Sequence, residues 1–333
     1  MSDLPPIPAN IAELTVPTLI GTLFNWLLFG ALLVQTYVYY LHFGDDKIWQ
    51  KSLVYGIFTL ETAQTAMNGV DLCFWFASGY GNMNHLGNVY ISPIDTPILC
   101  GIITTMVQCF FAYRIFILRR TYLWICFLIV LTSIMQGAAA LGIGILTFNI
   151  QEFALFHSSR ALTRCVYIWL ISDAVCDIII AGTLLWLLYQ SKKEGIELKT
   201  LGKLVRLVVE TNALTASMAI AMFIAFFGFP NNKYFTCPGL VMGKLYSNTL
   251  LVTFNNRIVL RNMNKDHAYA SSKSGGVGVS TQGPMVFAVV DIESFRAAPN
   301  RSIESISVTE SHELKKTTYR SKARSLIPES EVY

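Results

Sequence analysis

Seven apolar runs dominate the chain, and each is long enough to cross a lipid bilayer as a helix. About 20 consecutive apolar residues span the hydrocarbon core, and they must be helical because backbone groups in lipid form their hydrogen bonds internally. The runs lie at about residues 18–41, 49–77, 94–118, 122–147, 163–189, 204–229 and 239–260. They predict an all-α, seven-transmembrane helix bundle over residues 18–262, preceded by a short extracellular segment, residues 1–17.

The composition favours the same class of protein. Of 333 residues, 53% are apolar and only 14% are charged, whereas a soluble domain has about 25% charged residues. The net charge of +4 could indicate binding to nucleic acid, but that function needs a basic face on a solvent-exposed structure. Here the basic residues lie between apolar runs, so we expect a lipid bilayer and no nucleic acid as partner.

The distribution of basic residues predicts the orientation of the bundle. Loops on one side carry most of the lysines and arginines, while the other side has only Arg160, Arg164 and Lys233. Cytoplasmic loops of membrane proteins are enriched in Lys and Arg. We therefore expect the N-terminus outside and the C-terminus in the cytoplasm. Spans of about 22 residues fit the plasma membrane or the endoplasmic reticulum, and we favour the plasma membrane.

Residues 263–333 differ from the rest in being rich in serine, glycine and charge, as in residues 271–280, SSKSGGVGVS. Such a composition lacks the apolar surface that would offset the entropy cost of ordering. We expect a disordered, Ser-rich cytoplasmic tail. The sequon Asn300-Arg301-Ser302 lies in this tail and should not be glycosylated there.

Polar side chains within the apolar runs are the candidate functional groups, since a charge at mid-bilayer costs about 2.5–3.5 kcal/mol. Four of them in the second run are spaced 3, 4 and 3 residues apart, which places them on one helix face. The candidate polar interior comprises Glu61, Gln64, Asn68, Asp71, Asp173, Asp177, Lys244 and Asn248. These groups could bond to one another and hold the bundle together, or line a ligand pocket or ion path. Lys244 could also extend to the outer interface.

Three arginines follow the third run and are candidates for contact with a cytoplasmic signalling partner. They are Arg114, Arg119 and Arg120. Basic residues at this place are also typical of a simple positive-inside anchor, and both interpretations stay open.

The seven cysteines include no C-x-x-C pair, so the spacing predicts neither a zinc site nor a redox motif. Cys100 could form a disulfide with Cys165 or Cys237 on the outer side. The alternative is that the thiols pack as small apolar groups.

The sequence lacks the spaced sets of catalytic residues by which most enzymes are recognised. All five histidines lie outside the predicted spans, no P-loop is present, and no nucleophile stands near a base. We expect neither a cofactor nor enzymatic activity.

Several strings resemble the signature stretches of a fungal multi-pass membrane family, best known from basidiomycetes and catalogued as domain of unknown function 6534. They are residues 28–40 (LFGALLVQTYVYY), 108–118 (QCFFAYRIFIL) and, most specifically, 244–257 (KLYSNTLLVTFNNR). The likeness covers about residues 16–262. It differs at Glu61-Thr62, where the family pattern suggests an Asp-Thr pair. The resemblance implies a seven-helix membrane domain and supplies no activity.

The plan of seven helices with an outer N-terminus and a Ser-rich tail favours a receptor-like sensor of a small ligand. The ligand would enter from outside, between the second, fifth, sixth and seventh runs. Tyr113 stands before Arg114, where G-protein-coupled receptors have an acidic residue. The likeness to those receptors is therefore limited to the number and orientation of the helices. The alternatives are a transporter or channel that uses the intramembrane carboxylates, and a structural membrane protein.

Overall fold

The computed structural model describes residues 10–150, 152–193, 199–229 and 232–272. Seven helices of 20 or more residues lie among them, and each overlaps one of the seven apolar runs. They are α1 (Ile11–His42), α2 (Ile48–Leu72), α4 (Leu99–Leu118), α5 (Leu123–Ile150), α6 (Arg160–Lys193), α7 (Lys199–Gly228) and α8 (Thr236–Ser272), with the short α3 (Met83–Gly87) between α2 and α4. The described part contains no strand, so the predicted all-α fold is confirmed. Residues 1–9 of the expected extracellular segment lie outside the described residues, while α1 begins at Ile11, inside that segment. The helix α8 continues to Ser272 and so includes residues 263–272 of the expected tail, and the rest of the expected tail lies outside the described residues.

Five helical segments are long and apolar enough to cross a membrane. They are Ile11–His42, Ile94–Leu118, Arg120–Ile150, Arg160–Gln190 and Val208–Gly228. The helices α2 and α8 do not meet this criterion, so the count of seven spans and the orientation stay predictions. These two helices fall short because they carry polar side chains, such as Glu61 and Lys244, which are both fully buried inside the protein.

Apolar side chains cover the outer surface of the helices. Leu23, Phe127, Ile134, Ile178 and Ile224 are each more than half exposed. A soluble protein rarely shows large contiguous apolar patches, whereas lipid solvates such a surface. The arrangement fits an integral membrane protein.

The helix α8 is the most enclosed of the seven. It packs against α1, α2, α4 and α7, and between Thr236 and Ile258 none of its side chains is exposed. Its contact with α1 is close, because a Cβ on Gly21 would lie 2.8 Å from the Cα of Cys237. Neighbouring helices therefore screen the polar residues of α8 from the surroundings.

Small residues also bring α4 and α5 together. A Cβ on Gly101 would lie 2.5 Å from the Cβ of Ala140, and one on Gly137 would lie 2.6 Å from Thr105 Oγ1. Residues without bulk at the contact let two helix backbones approach closely in a membrane. Gly137 and Ala140 of α5 thus make close helix contacts within the bundle.

Two wide π-helical turns interrupt the regular helices at one end of the bundle. One follows α2 at Cys73–Ser78, and the other precedes α4 at Ile94–Ile98. The second contains Pro97, which has no backbone N–H to donate, and turns of this kind are frequent at functional sites. Buried side chains from the two turns, Trp75 and Asp95, line the cavity described below.

The predicted crossing of α2 can be tested with an engineered glycosylation site. The substitution Asn84→Thr turns Asn82-Met83-Asn84 into a sequon in the connection between α2 and α4. If both α1 and α2 cross the membrane and the N-terminus is outside, Asn82 faces the lumen during synthesis and should be glycosylated. A mobility shift on gels, removed by an endoglycosidase, measures the modification. The native sequon at Asn300 serves as the control and should stay unmodified; modification at Asn300 without modification at Asn82 would contradict the topology.

Candidate functional site

A buried ion pair joins α2 to α8. The ammonium group of Lys244 pairs with the carboxylate of Glu61, and both side chains are 0% exposed. Lys244 Nζ also donates hydrogen bonds to Gln64 Oε1 and to the backbone oxygen of Glu61, each at 3.0 Å. Ser247 contacts the second carboxylate oxygen of Glu61. Lys244 thus points into the bundle, and the alternative in which it extends to the outer interface is wrong.

A second buried cluster brings two carboxyl groups together without a basic partner among the described residues. Tyr246 Oη lies 2.9 Å from Asp173 Oδ1 and 2.7 Å from Asp177 Oδ2. Gln108 Nε2 donates to Asp173 Oδ1 at 3.0 Å, and Thr215 Oγ1 contacts Asp177. The Tyr246 hydroxyl has one hydrogen for two carboxyl neighbours. When it donates to one of them, the other contact is a hydrogen bond only if that carboxyl group itself carries a proton.

A cavity of about 80 Å³ lies at the end of the bundle predicted to be extracellular. We call it the aromatic cavity. At roughly 15 Å³ for each water, it has room for about five water molecules. Its wall is rich in aromatic rings, and the residues that contribute them are Trp75, Phe153, Phe156, Trp169, Phe226 and Phe235.

Four polar atoms on side chains that line the aromatic cavity have no hydrogen-bond partner among the described residues. They are Asn68 Oδ1, Asp95 Oδ2, Thr147 Oγ1 and Trp169 Nε1. All four side chains are at most 3% exposed. Buried polar groups in proteins are nearly always paired, and leaving one unpaired costs about 1–3 kcal/mol. This cavity can therefore accept a small ligand that supplies the missing partners.

The structure separates the residues of the predicted polar interior. Glu61, Gln64 and Lys244 form the ion-pair cluster, and Gln64 also donates to the backbone oxygen of Asp95 at 2.8 Å. Asp173 and Asp177 form the second cluster.

The other three residues of that prediction lie elsewhere. Asn68 lines the aromatic cavity. Asp71 Oδ1 accepts a hydrogen bond from the backbone of Ile91 at 3.2 Å. Asn248 donates to the backbone oxygen of Leu28 at 3.1 Å, which ties α8 to α1.

Sequence reasoning missed several residues that the structure places at these sites. Asp95 is the second residue of the third run and lies between Pro93 and Pro97, where a polar residue at the edge of a span attracts little attention. Tyr246, Thr215 and Trp169 are uncharged and carry no signal within an apolar run. Gln108 could have been found, because an amide inside a predicted span also needs a partner.

The candidate coupling arginines lie around the end of α4. Arg114 is half-buried within the helix and Arg119 is its C-terminal cap residue. The guanidinium carbon of Arg120 lies 5.8 Å from the ring centroid of Phe116. An unpredicted ion pair is found at the same predicted cytoplasmic end, between Arg257 of α8 and Asp46. Tyr39 also donates to Asp46 Oδ2 at 3.0 Å.

The possible disulfide between Cys100 and either Cys165 or Cys237 is absent from the structure. All seven cysteines are described, and all are free thiols. Cys100 is fully buried in α4, with its Sγ 3.9 Å from Thr104 Oγ1, while Cys237 packs at Gly21 of α1. The thiols face different helices and pack as small groups, in agreement with the alternative interpretation.

The sequence model of a family of unknown function, DUF6534, matches residues 173–258. This segment covers the second half of α6, all of α7 and most of α8. It contains Asp173, Asp177 and Lys244, whereas Glu61 and Gln108 lie outside it. No curated protein and no solved structure matches the chain. The resemblance noted from the sequence is supported over the matched segment, while fungal origin and multiple spans remain expectations.

A further buried cation, Lys233, lies in the connection between α7 and α8. Its Nζ donates to the backbone oxygen of Leu86 at 2.6 Å and lies 3.8 Å from the ring centroid of Phe153. The side chain is 8% exposed, and burial lowers the pKa of Lys233 from 10.5 to about 7. The charged form of this lysine is therefore disfavoured in the folded protein near neutral pH.

We predict that breaking the Lys244–Glu61 pair strongly destabilises the protein. Lys244→Met or Glu61→Gln alone should each cost about 3–5 kcal/mol, because the remaining partner stays buried without its counter-charge. Combining Lys244→Met with Glu61→Met should recover part of the loss. Thermal unfolding in detergent measures the effect. The control is Arg206→Ala, at an exposed pair with Glu210, which should cost only about 0.3–0.5 kcal/mol; equal losses at the two pairs would contradict the prediction.

A second prediction concerns the pH dependence of stability. Unfolded Lys233 keeps its proton up to about pH 10.5, whereas folded Lys233 releases it near pH 7. The unfolded state binds more protons between these values, so stability should rise with pH from about 7 upward, by at most about 1.4 kcal/mol per pH unit. The variant Lys233→Met should flatten this rise, measured as melting temperature between pH 6 and 9. Lys47→Met, at an exposed lysine, is the control; equal slopes in the wild type and Lys233→Met would count against the prediction.

Proposed function

We propose that the protein is a receptor-like integral membrane sensor whose small ligand binds in the aromatic cavity. The observation that carries this proposal is the set of four buried polar atoms without partners on side chains that line one apolar cavity. Small-molecule sites are typically apolar hollows with a few placed polar groups. A ligand that pairs with these atoms in place of water would bind the folded state selectively.

The position of the cavity supports a ligand that arrives from outside. Its wall includes Ser92 and Phe153 from connecting segments, and Thr18 and Thr236 from the ends of α1 and α8. By the distribution of basic residues this end of the bundle faces outward. A ligand from that side is consistent with a place in the plasma membrane.

The helix α8 offers a route from the cavity to the opposite end. Thr236 and Leu240 line the aromatic cavity, Lys244 pairs with Glu61 one turn further on, and Arg257 pairs with Asp46 near the other end. A shift of α8 caused by the ligand would act on both ion pairs. The cytoplasmic partner would then meet the surface near Arg114, Arg119 and Arg120.

The other two functions receive less support from the contacts. A transporter would route its cargo past Asp173, Asp177 or Glu61, but these carboxylates bond to protein groups, and none of the three lines the aromatic cavity. A purely structural role accounts for the ion pair. It gives no reason for a cavity with four polar atoms left without partners.

Ligand binding can be tested with a thermal-shift screen of the purified protein against small organic compounds. A compound that binds only the folded state raises the melting temperature, by an amount corresponding to about 2.7 kcal/mol at 100 times its Kd. Thr147→Trp fills the cavity from its wall and should abolish the shift. The control is Ile134→Trp, on the same helix but 56% exposed, which should keep it. Shifts that survive Thr147→Trp undiminished, or a panel without any shift, would contradict the proposal.

A further inference from the structure

We infer that the ligand of the aromatic cavity is a small organic ammonium ion, and that Asp95 is the group that binds its charge. This inference rests on the proposed function and goes further by naming the chemical class of the ligand.

Asp95 is a buried carboxyl group with one oxygen unused. Its side chain is 0% exposed. Asp95 Oδ1 accepts a hydrogen bond from Thr96 Oγ1 at 2.9 Å, and the Asn68 side chain also interacts with the carboxyl group, while no hydrogen bond of good geometry reaches Oδ2. Within the described part of the chain, no basic side chain forms an ion pair with it. A carboxylate in such a place needs a cation or a strong hydrogen-bond donor, because isolated charges are very costly to bury.

A second carboxyl group strengthens the preference for a cation. Asp71 lies close enough to Asp95 for an electrostatic interaction between the two side chains. Asp71 Oδ2 is also buried without a partner. Lys244 also interacts electrostatically with Asp95, but its ammonium group is paired with Glu61. An ammonium ion that contacts both carboxyl groups would stabilise them as neighbouring carboxylates, a gain that a neutral donor of the same shape does not offer.

The aromatic wall suits an ammonium ion. Ring faces attract cations within about 6 Å of the centroid. Two of the wall residues already face an amine of the protein itself, because Lys233 Nζ lies 3.8 Å from the centroid of Phe153 and 5.8 Å from that of Trp75. Both rings also border the cavity.

The donors and acceptors match a primary amine. Asn68 Oδ1, Asp95 Oδ2 and Thr147 Oγ1 can all accept, and a primary ammonium group has three hydrogens to donate. The volume of about 80 Å³ corresponds to roughly five waters, which suits an amine with a short alkyl body. Trp169 Nε1 is left as a donor for an oxygen atom on a somewhat larger natural ligand.

The test compares butylammonium with butanol, which has the same size and shape but no charge. Binding to the full-length protein in detergent is followed at fixed pH and ionic strength by thermal shift and by tryptophan fluorescence, since Trp75 and Trp169 line the cavity. Butylammonium should bind at least tenfold more tightly than butanol. In Asp95→Asn its affinity should fall at least tenfold, while that of butanol should change little. Asp45→Asn, at an exposed aspartate in the connection between α1 and α2, is the matched control and should bind as the wild type does.

The outcomes separate this inference from the proposed function. Equal binding of butanol and butylammonium, or unchanged amine binding in Asp95→Asn, would overturn the assignment of an ammonium ligand. Tighter binding of neutral compounds than of butylammonium, abolished by Thr147→Trp, would overturn it too, while leaving the ligand cavity in place. If Asp95→Asn fails to fold, the comparison of the two ligands in the wild-type protein still decides the matter.

Discussion

The buried ion pair between Lys244 and Glu61 is the contact on which the arrangement of the bundle depends. An ammonium group in a medium of low dielectric constant is stable only beside its counter-charge, so α8 has one acceptable register against α2. A slip of one helical turn would move Lys244 by about 5.4 Å and leave both charges unpaired. Once this register is set, Tyr246 is directed to Asp173 and Asp177 on α6, and Asn248 to Leu28 on α1. Alternate residues of one helix, each about 200° around its axis from the one before, thus fix three different neighbours.

The same reasoning explains why hydropathy finds five of the seven long helices and passes over α2 and α8. A helix that faces lipid on most of its surface has to be apolar, as α5 is. The helix α8 has no exposed side chain between Thr236 and Ile258, so its surroundings are other helices, and Lys244 and Tyr246 find polar partners on them. On α2, Glu61 and Gln64 are buried while Tyr55 and Val70 are exposed. A polar interior and an apolar surface are the opposite of the arrangement in a soluble protein. They suit a protein whose solvent is the lipid bilayer.

Sequence spacing predicted the helices well and the sites only in part, and the physical reason is the same for both. A period of 3.6 residues determines which side chains share a face, so Glu61 and Gln64 were correctly placed together and both reach Lys244. The period does not say which neighbouring helix the face meets. Asn68 and Asp71 continue the stripe but reach the aromatic cavity and the backbone of Ile91. Asp95 escaped notice because a π-helical turn, which no apolar pattern reveals, brings it into the bundle.

If ligand binding is to reach the far end of the bundle, it requires an element with two arrangements that both ends can bias. The helix α8 has the properties that such an element needs. It runs without interruption from the cavity wall at Leu240 to the ion pair of Arg257, and no disulfide ties it to its neighbours, because Cys237 is a free thiol. Its polar contacts are hydrogen bonds and ion pairs that can exchange partners, as the shared hydroxyl of Tyr246 between two carboxyl groups illustrates. A small displacement at the cavity would therefore change the hydrogen bonding of Tyr246 before it reached Arg257, which makes the two-aspartate cluster the natural intermediate in the proposed coupling.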